Sequence, residues 1–482
     1  MRWTSCLLVL LVACSSEPSR TQSEAAPWKA PPVRWVSDLG PFEQRFTYNE
    51  ASSVSNGGRW VVFSSHVKER PSRVFLVDTK RRAVSQIDAS FDGRPRKSPG
   101  VRRYHISLSL PDPEITPDGR YVIFSSPFSN IVPGDRNRAT DVFVHDRVGE
   151  TTRIVSRSSD GMLANGNSFD PAISADGRYV VFASRASNLS PRDGDREHDV
   201  YLRDLRTGKT ELISVGRLGK GDDRSGYPDV SDDGDRVSFI SGATNLVRDD
   251  ANELTDLFVR ERSTKTTIRA SVGTAGEEPE AFEECESGGC YRVGGAREPS
   301  ISGDGEVVVF VTDANGLVSD DRNYNPDVYI HEIVTGVTER VSISGDGSDA
   351  YGPGSVECGK DPVCSQFTST HSPSISRDGN LVYFISAAPE ISDEDDDGDK
   401  GRGSGAQVFV HDRTSGHTLI VSRYRDGSPV ESSNWYPGEI SSDGLLVTYS
   451  CNSIKLDGPR GDQDPGPDVF LQRLPMIRGV ER

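Results

Sequence analysis

One spacing of acidic and amide side chains recurs along this 482-residue chain. It reads Asp135-x-Asn137-x-x-x-Asp141, Asp193-x-Asp195-x-x-x-Asp199 and Asp250-x-Asn252-x-x-x-Asp256. Two further copies are Asp321-x-Asn323-x-x-x-Asp327 and Asp462-x-Asp464-x-x-x-Asp468. Oxygen ligands at the first, third and seventh positions, with a main-chain carbonyl between, could wrap a hard cation such as Ca2+. A denser run places Asp393, Asp395, Asp397 and Asp399 at alternate positions around Gly398. That order suits a calcium loop, but the twelfth position, where a bidentate Glu would close it, is Ser404. A second reading stands beside the first. Asp and Asn also fold onto the backbone two residues on and hold loops without metal, and duplication copies either device.

Other reactive residue types say less. Cys285, Cys290, Cys358 and Cys364 sit as two close pairs in long connections, so the local disulfides Cys285–Cys290 and Cys358–Cys364 are the simplest pairing. A four-cysteine zinc site is the competing use, and an oxidising compartment favours the disulfides. Cys451 reads as a single buried thiol. His145, His331 and His411 share one place in three repeats, where the others carry Val77, Arg203, Arg260 and Gln472, which reads as a tolerant surface site. No nucleophile elbow and no metal-spaced histidine pair occurs, and no catalytic residue is assigned.

The elements that carry these residues follow from a repeat. Pro113-Glu-Ile-Thr-Pro-Asp118-Gly119-Arg-Tyr-Val-Ile-Phe124 returns as Pro171 to Phe182, Pro228 to Phe239, Pro299 to Phe310, Pro373 to Phe384 and Pro437 to Tyr449. A degenerate copy, Ser53 to Phe63, lies upstream. Each is followed by an alternating strand such as Asp199-Val-Tyr-Leu-Arg-Asp204, then a turn and a fourth strand. Asp-Gly between two β-rich runs is a hairpin signal, because Gly accepts a positive φ. Four short strands per unit describe the blade of a propeller. The fold class expected is all-β: a β-propeller of seven blades, each of four antiparallel strands, over residues 33–474. Arg34-Trp35-Val36-Ser37 is expected to complete the last blade and latch the ring, with Met476 to Val480 as the competing strand. Asp118, Asp176, Asp233, Asp304, Asp378 and Asp443 recur at intervals of 58, 57, 71, 74 and 65 residues. The surplus over an ordinary blade lies in the second-to-third-strand and blade-to-blade connections, which emerge on one face and form the expected binding surface.

Composition bounds the rest. With 55 Lys plus Arg against 73 Asp plus Glu, the net charge is −18 and no basic cluster suited to nucleic acid is seen. No apolar run reaches the roughly 18 residues of a spanning helix. The start, with Arg2, an apolar core at Leu7 to Ala13, and Leu11-Val12-Ala13-Cys14, resembles the lipobox of bacterial lipoproteins. That resemblance implies a signal peptide over 1–13, a lipidated Cys14, a tether over 14–32, and the outer membrane as address, facing the periplasm or the cell surface. Residues 475–482 are a tail.

The phrase Pro-x-Ile-Ser-x-Asp-Gly-Arg-x-Val-x-Phe resembles the WD40-like repeats of the TolB propeller family, across roughly residues 33 to 474. It implies the architecture and an extracytoplasmic compartment. The α/β domain that precedes the TolB propeller has no counterpart between Cys14 and Val33, and with no Gly-x-Ser-x-Gly elbow in the sequence, peptidase activity of the prolyl oligopeptidase type is not expected. The function expected is a monomeric, lipid-anchored binding module taking an envelope protein or glycan on the long-loop face. The alternatives are a hydrolase or lyase acting on carbohydrate or peptide in the central funnel, and a structural propeller stabilised by calcium.

Overall fold

The computed structural model describes residues 34–35, 48–66, 72–91, 113–286, 289–321, 323, 325–344, 347–350, 370–388, 391, 406–424, 428–430, 432, 435–452 and 468–474. The expected lipidation site Cys14, the pair Cys358 and Cys364, the run Asp393 to Asp399, and Asp462 and Asp464 lie outside them.

The fold is an all-β propeller of four-stranded antiparallel sheets. Six blades are each built from four consecutive strands, beginning at Tyr48, Glu114, Ser168, Ser225, Arg297 and His371. Blade 3 shows the pattern: Ser168–Ile173, Tyr179–Ser184, Asp199–Asp204 and Lys209–Leu212, paired in that order. A further four-stranded sheet joins the two ends of the chain. Trp435–Tyr436, Leu446–Cys451 and Asp468–Arg473 supply three strands, and Arg34–Trp35 supplies the fourth. There Arg34 pairs with Leu471 and Trp35 with Phe470.

The repeated phrase builds its turn from one hydroxyl and one carboxylate. Ser174 Oγ donates to Asp176 Oδ1 at 2.7 Å and accepts the Tyr179 N–H at 2.9 Å. Asp176 Oδ1 in turn accepts the Arg178 N–H at 2.9 Å. Gly177 has φ +70°, and a Cβ there would lie 2.2 Å from Tyr121 Cδ2 of the preceding blade. The glycine therefore serves both the turn and the close approach of two blades.

Alternation along the second strand divides the core between neighbours. Val180 and Phe182 join Ile123, Val142 and Val144 of blade 2, while Val181 joins Val237 and Phe239 of blade 4. Such apolar clusters link every consecutive pair of sheets. One holds Tyr383 and Val410 against Tyr449 and Phe470, and another holds Val61 and Phe63 against Val469 and Leu471, so the circle closes. Within each sheet an aromatic of the second strand packs on one of the third, as in Phe124–Phe143 at 5.5 Å and Phe182–Tyr201 at 5.9 Å between centroids. A pair of this kind contributes about 0.5–1.5 kcal/mol beyond its buried area.

The position shared by the three histidines is a correction to the sequence reading. It faces inward, not solvent: Val77 and Gln472 are fully buried and His331 is nearly so. Its histidines and arginines reach a threonine on the outer strand, with His331 Nδ1 at 2.8 Å from Thr338 Oγ1 and Arg203 Nη1 donating to Thr210 Oγ1 at 2.7 Å, while Gln472 Oε1 accepts from the Tyr449 hydroxyl at 2.9 Å. Two hydrogen-bonding side chains, or apolar ones, satisfy such a place equally, and this produces the tolerance.

Candidate functional site

The innermost strands surround an axial cavity of about 450 Å³. Each of these strands turns one edge to the axis, so the repeated prolines, which lack an N–H, interrupt no ladder there. The residue after each proline lines the cavity, and three of these side chains are acids or lie beside one: Glu114, Asp229 and, one place later, Glu439. All three are half-buried at the cavity wall, and each carboxylate reaches the next blade. Glu114 Oε2 accepts the Ile173 N–H at 3.0 Å, Asp229 Oδ2 the Ile301 N–H at 2.9 Å, and Glu439 Oε1 the Val54 N–H at 2.9 Å. Ser53 Oγ does the same for the Ile115 N–H at 3.0 Å. These groups clasp the blades around the axis.

Burial also raises their pKa values, and their mutual repulsion adds to the effect for Glu114 and Glu439. Glu439 is pushed up to about 7 and Glu114 well above the usual carboxylate range. The opposing charge is Arg377, whose Nε lies 2.6 Å from Asp232 Oδ1. That contact spans from blade 6 to blade 4 past Gly303, where a Cβ would lie 2.7 Å from Asp232 Oδ2. Glycine leaves room for the ion pair to pass.

At the other end of the cavity, four blades carry a strained residue just before the proline. Asp170, Tyr227, Glu298 and Ser372 have φ of 48°, 50°, 52° and 56°. Each lies inside a register shift of the inner strand. A left-handed non-glycine residue costs roughly 1–3 kcal/mol, and such sites gather where side chains must be aimed. Tyr227, Glu298 and Ser372 line the cavity, and Tyr227 is 60% exposed. His371 Nδ1 lies 2.8 Å from Ser372 Oγ, and burial holds this imidazole below its ordinary pKa. This mouth lies at the strand ends from which the long connections leave.

The repeated acidic loops stand above the same face, and fixed cations serve three of them. In blade 3, Asp193, Asp195 and Asp199 bring carboxylate oxygens within 4.8 Å of one another, a group that could hold a metal ion. Lys220 Nζ lies 3.0 Å from both Asp195 Oδ2 and Asp199 Oδ2. In blade 4, Arg269 Nη1 lies 3.2 Å from Asp250 Oδ1 and 3.6 Å from Asp256 Oδ2. In blade 5, Arg340 Nη1 lies 3.2 Å from Asp321 Oδ1, 3.2 Å from Asp327 Oδ2 and 2.7 Å from Asp349 Oδ1. The side-chain turns anticipated from the sequence are present too. Asn137 Oδ1 accepts the Ala139 N–H at 3.2 Å, and Asn252 and Asn323 each accept the N–H two residues on at 2.9 Å.

The seventh-position acids have a further role in holding the sheet. Asp199 Oδ1 accepts from Ser214 Oγ at 2.8 Å, and that hydroxyl accepts the Val200 N–H at 3.1 Å, pinning the outer strand to the third. Asp141, Asp256 and Asp327 bind Ser156, Ser271 and Ser342 in the same way. Asp468 opens the third strand of the closing sheet and is half-buried. Cys285 and Cys290 are register partners across a hairpin, Phe282–Glu286 with Gly289–Val293.

Sequence reasoning missed the cavity acids and the strained ring. A signal for both existed: within the repeat, the residues on either side of the proline vary while the proline and the following apolar residue do not.

No family model matches the chain, and no curated protein matches it. The chain is similar to solved propellers. An oligogalacturonate lyase in complex with manganese is 14% identical, covers 90% of each chain and has a TM-score of 0.46. The β-propeller domain of the trilobed protease from Pyrococcus furiosus is 11% identical over 90% of this chain and 100% of that one, at 0.47. TolB from Acinetobacter baumannii is 14% identical over 87% and 80%, at 0.37.

Proposed function

We propose that the protein is a binding module, a ring of seven blades that receives a cationic segment of a partner at the mouth of its axial cavity. The observation that carries this reading is the strained ring, which sets exposed Tyr227 beside Glu298 over a cavity lined by Glu114, Asp229 and Glu439. Glu298 stands at the mouth, and the protonatable acids below it can ionise against an entering cation, so a lysine or arginine side chain is the complementary group, and Tyr227 offers its ring face to the same cation. The lipid anchor at Cys14, the envelope location, and the disulfides Cys285–Cys290 and Cys358–Cys364 belong to the same proposal.

Titration with short lysine- and arginine-rich peptides tests it, with neutral peptides and neutral glycans as controls. Binding should weaken at least tenfold in Tyr227→Ala and Glu298→Gln, with melting temperatures unchanged. Equal binding of neutral peptides, or of glycans alone, would sink the cationic reading. A hydrolytic function is the second reading, and the contact between His371 and strained Ser372 favours it. Peptide cleavage in the same titrations, abolished in Ser372→Ala, would put that reading first.

A further inference from the structure

Blade 2 breaks the charge balance kept by blades 3, 4 and 5. Its two acids are buried, Asp141 fully and Asp135 to within 9% of its exposed area. Asp135 Oδ1 is buried without a hydrogen-bond partner. The positions that supply the cation elsewhere are aliphatic here. Ile154 ends the outer strand where Arg269 and Arg340 stand, and Leu163 takes the place of Lys220 in the connection that follows. The correspondence is fixed by the backbone: Ala164 N–H donates to Ser156 O as Gly221 N–H donates to Ser214 O. The third strand also lacks a partner. Tyr201 and Tyr329 donate their hydroxyls to Asp193 and Asp321, but the blade 2 residue is Phe143.

Arg157 acts on both acids through space, favouring their charged forms, but it makes no direct ion pair with either. Arg157 donates to Gly161 O at 3.1 Å, and the flanking Arg136 and Arg138 are exposed. Among the described residues, none of the three forms an ion pair with Asp135 or Asp141. Asn137 Nδ2 holds Asp141 Oδ2 at 2.8 Å and Ala164 O at 3.0 Å, but it leaves Asp135 Oδ1 unmet. In blade 6, where the strand-end residue is Ile420, the buried acid is replaced by the neutral Gln407. An aliphatic end thus goes with loss of the acid in blade 6, and in blade 2 the acids remain.

We propose that blade 2 binds a hard divalent cation, of calcium type, between Asp135 and Asp141, at the place filled in blade 3 by the Lys220 ammonium. Two carboxylates match a double charge, and the donors are all oxygen. Leu163 stands where blade 3 has Lys220 and brings no charge of its own to the two acids.

The experiment compares the protein with Leu163→Lys and Asp135→Asn by thermal melting in chelator and in millimolar CaCl2, MgCl2 or NaCl, with ions counted by native mass spectrometry. Calcium should raise the melting temperature of the parent protein by several degrees. Each variant should bind one calcium fewer than the parent, and both should melt no lower than the parent in chelator. Leu163→Lys carries its own cation and Asp135→Asn removes a charge, so each also loses calcium response. Ion counts and calcium response unchanged in both variants would overturn the proposal, as would a parent protein that binds no ion.

Discussion

Glu439 shows how a single carboxyl connects architecture with pH. Its folded pKa, about 7, lies above its ordinary value near 4.5, so the folded protein holds this proton more tightly than the unfolded chain. Its contribution is therefore greatest below about pH 4.5, falls as the pH rises through 7, and is flat above. The span corresponds to about 3 kcal/mol. Glu439→Gln keeps an oxygen for the Val54 N–H and removes the titration. Its melting temperature should exceed that of the parent protein at pH 8 and converge on it near pH 4.5. Profiles that run parallel across that window would show that Glu439 is not the titrating group. These cavity acids were hard to read because 73 acids occur in the chain, and only the ring shows which ones share an axis.

At the scale of the blade, the Asp-Gly turn joins local geometry to packing. Gly177→Ala has to hold a methyl-bearing residue at φ +70° with its Cβ 2.2 Å from the Tyr121 ring. The left-handed conformation alone costs roughly 1–2 kcal/mol, and displacing the ring brings the total to about 3 kcal/mol. A urea titration should show a lower midpoint with an unchanged slope, and a midpoint equal to the parent's would refute the clash. This element was legible in the sequence, since serine, aspartate, glycine and the alternating strand recur in fixed order. The salt-bridging cations were only half legible. Arg269 and Arg340 occupy one place in the repeat, whereas Lys220 comes from a connection of varying length that only the backbone hydrogen bonds align with the acids it serves.

The whole ring depends on the pairing of its two ends. Arg34–Trp35 covers the edge of Asp468–Arg473, and without it that strand would present an open ladder to other molecules. Deleting residues 1–35 should lower the melting temperature and produce dimers or larger species in size-exclusion chromatography with light scattering. A monomer of unchanged stability would show that the latch is dispensable. The latch was legible because Arg34-Trp35-Val36-Ser37 resembles the fourth strands elsewhere. The bulges at the cavity mouth were not, because strain before a proline follows from how the inner strands meet at the axis.

Charge pairing also limits how such a ring can be rebuilt. Its sheets share one backbone plan, yet an acid on the third strand answers to a base on the outer strand or in the connection beyond. A blade moved between positions, by recombination or by design, would stay balanced only if the exchanged piece carried both partners. Cutting within a hairpin would separate them, while cutting between complete units, after the connection that carries Lys220, would not. The inheritable unit is thus longer than the four strands that define a blade by eye.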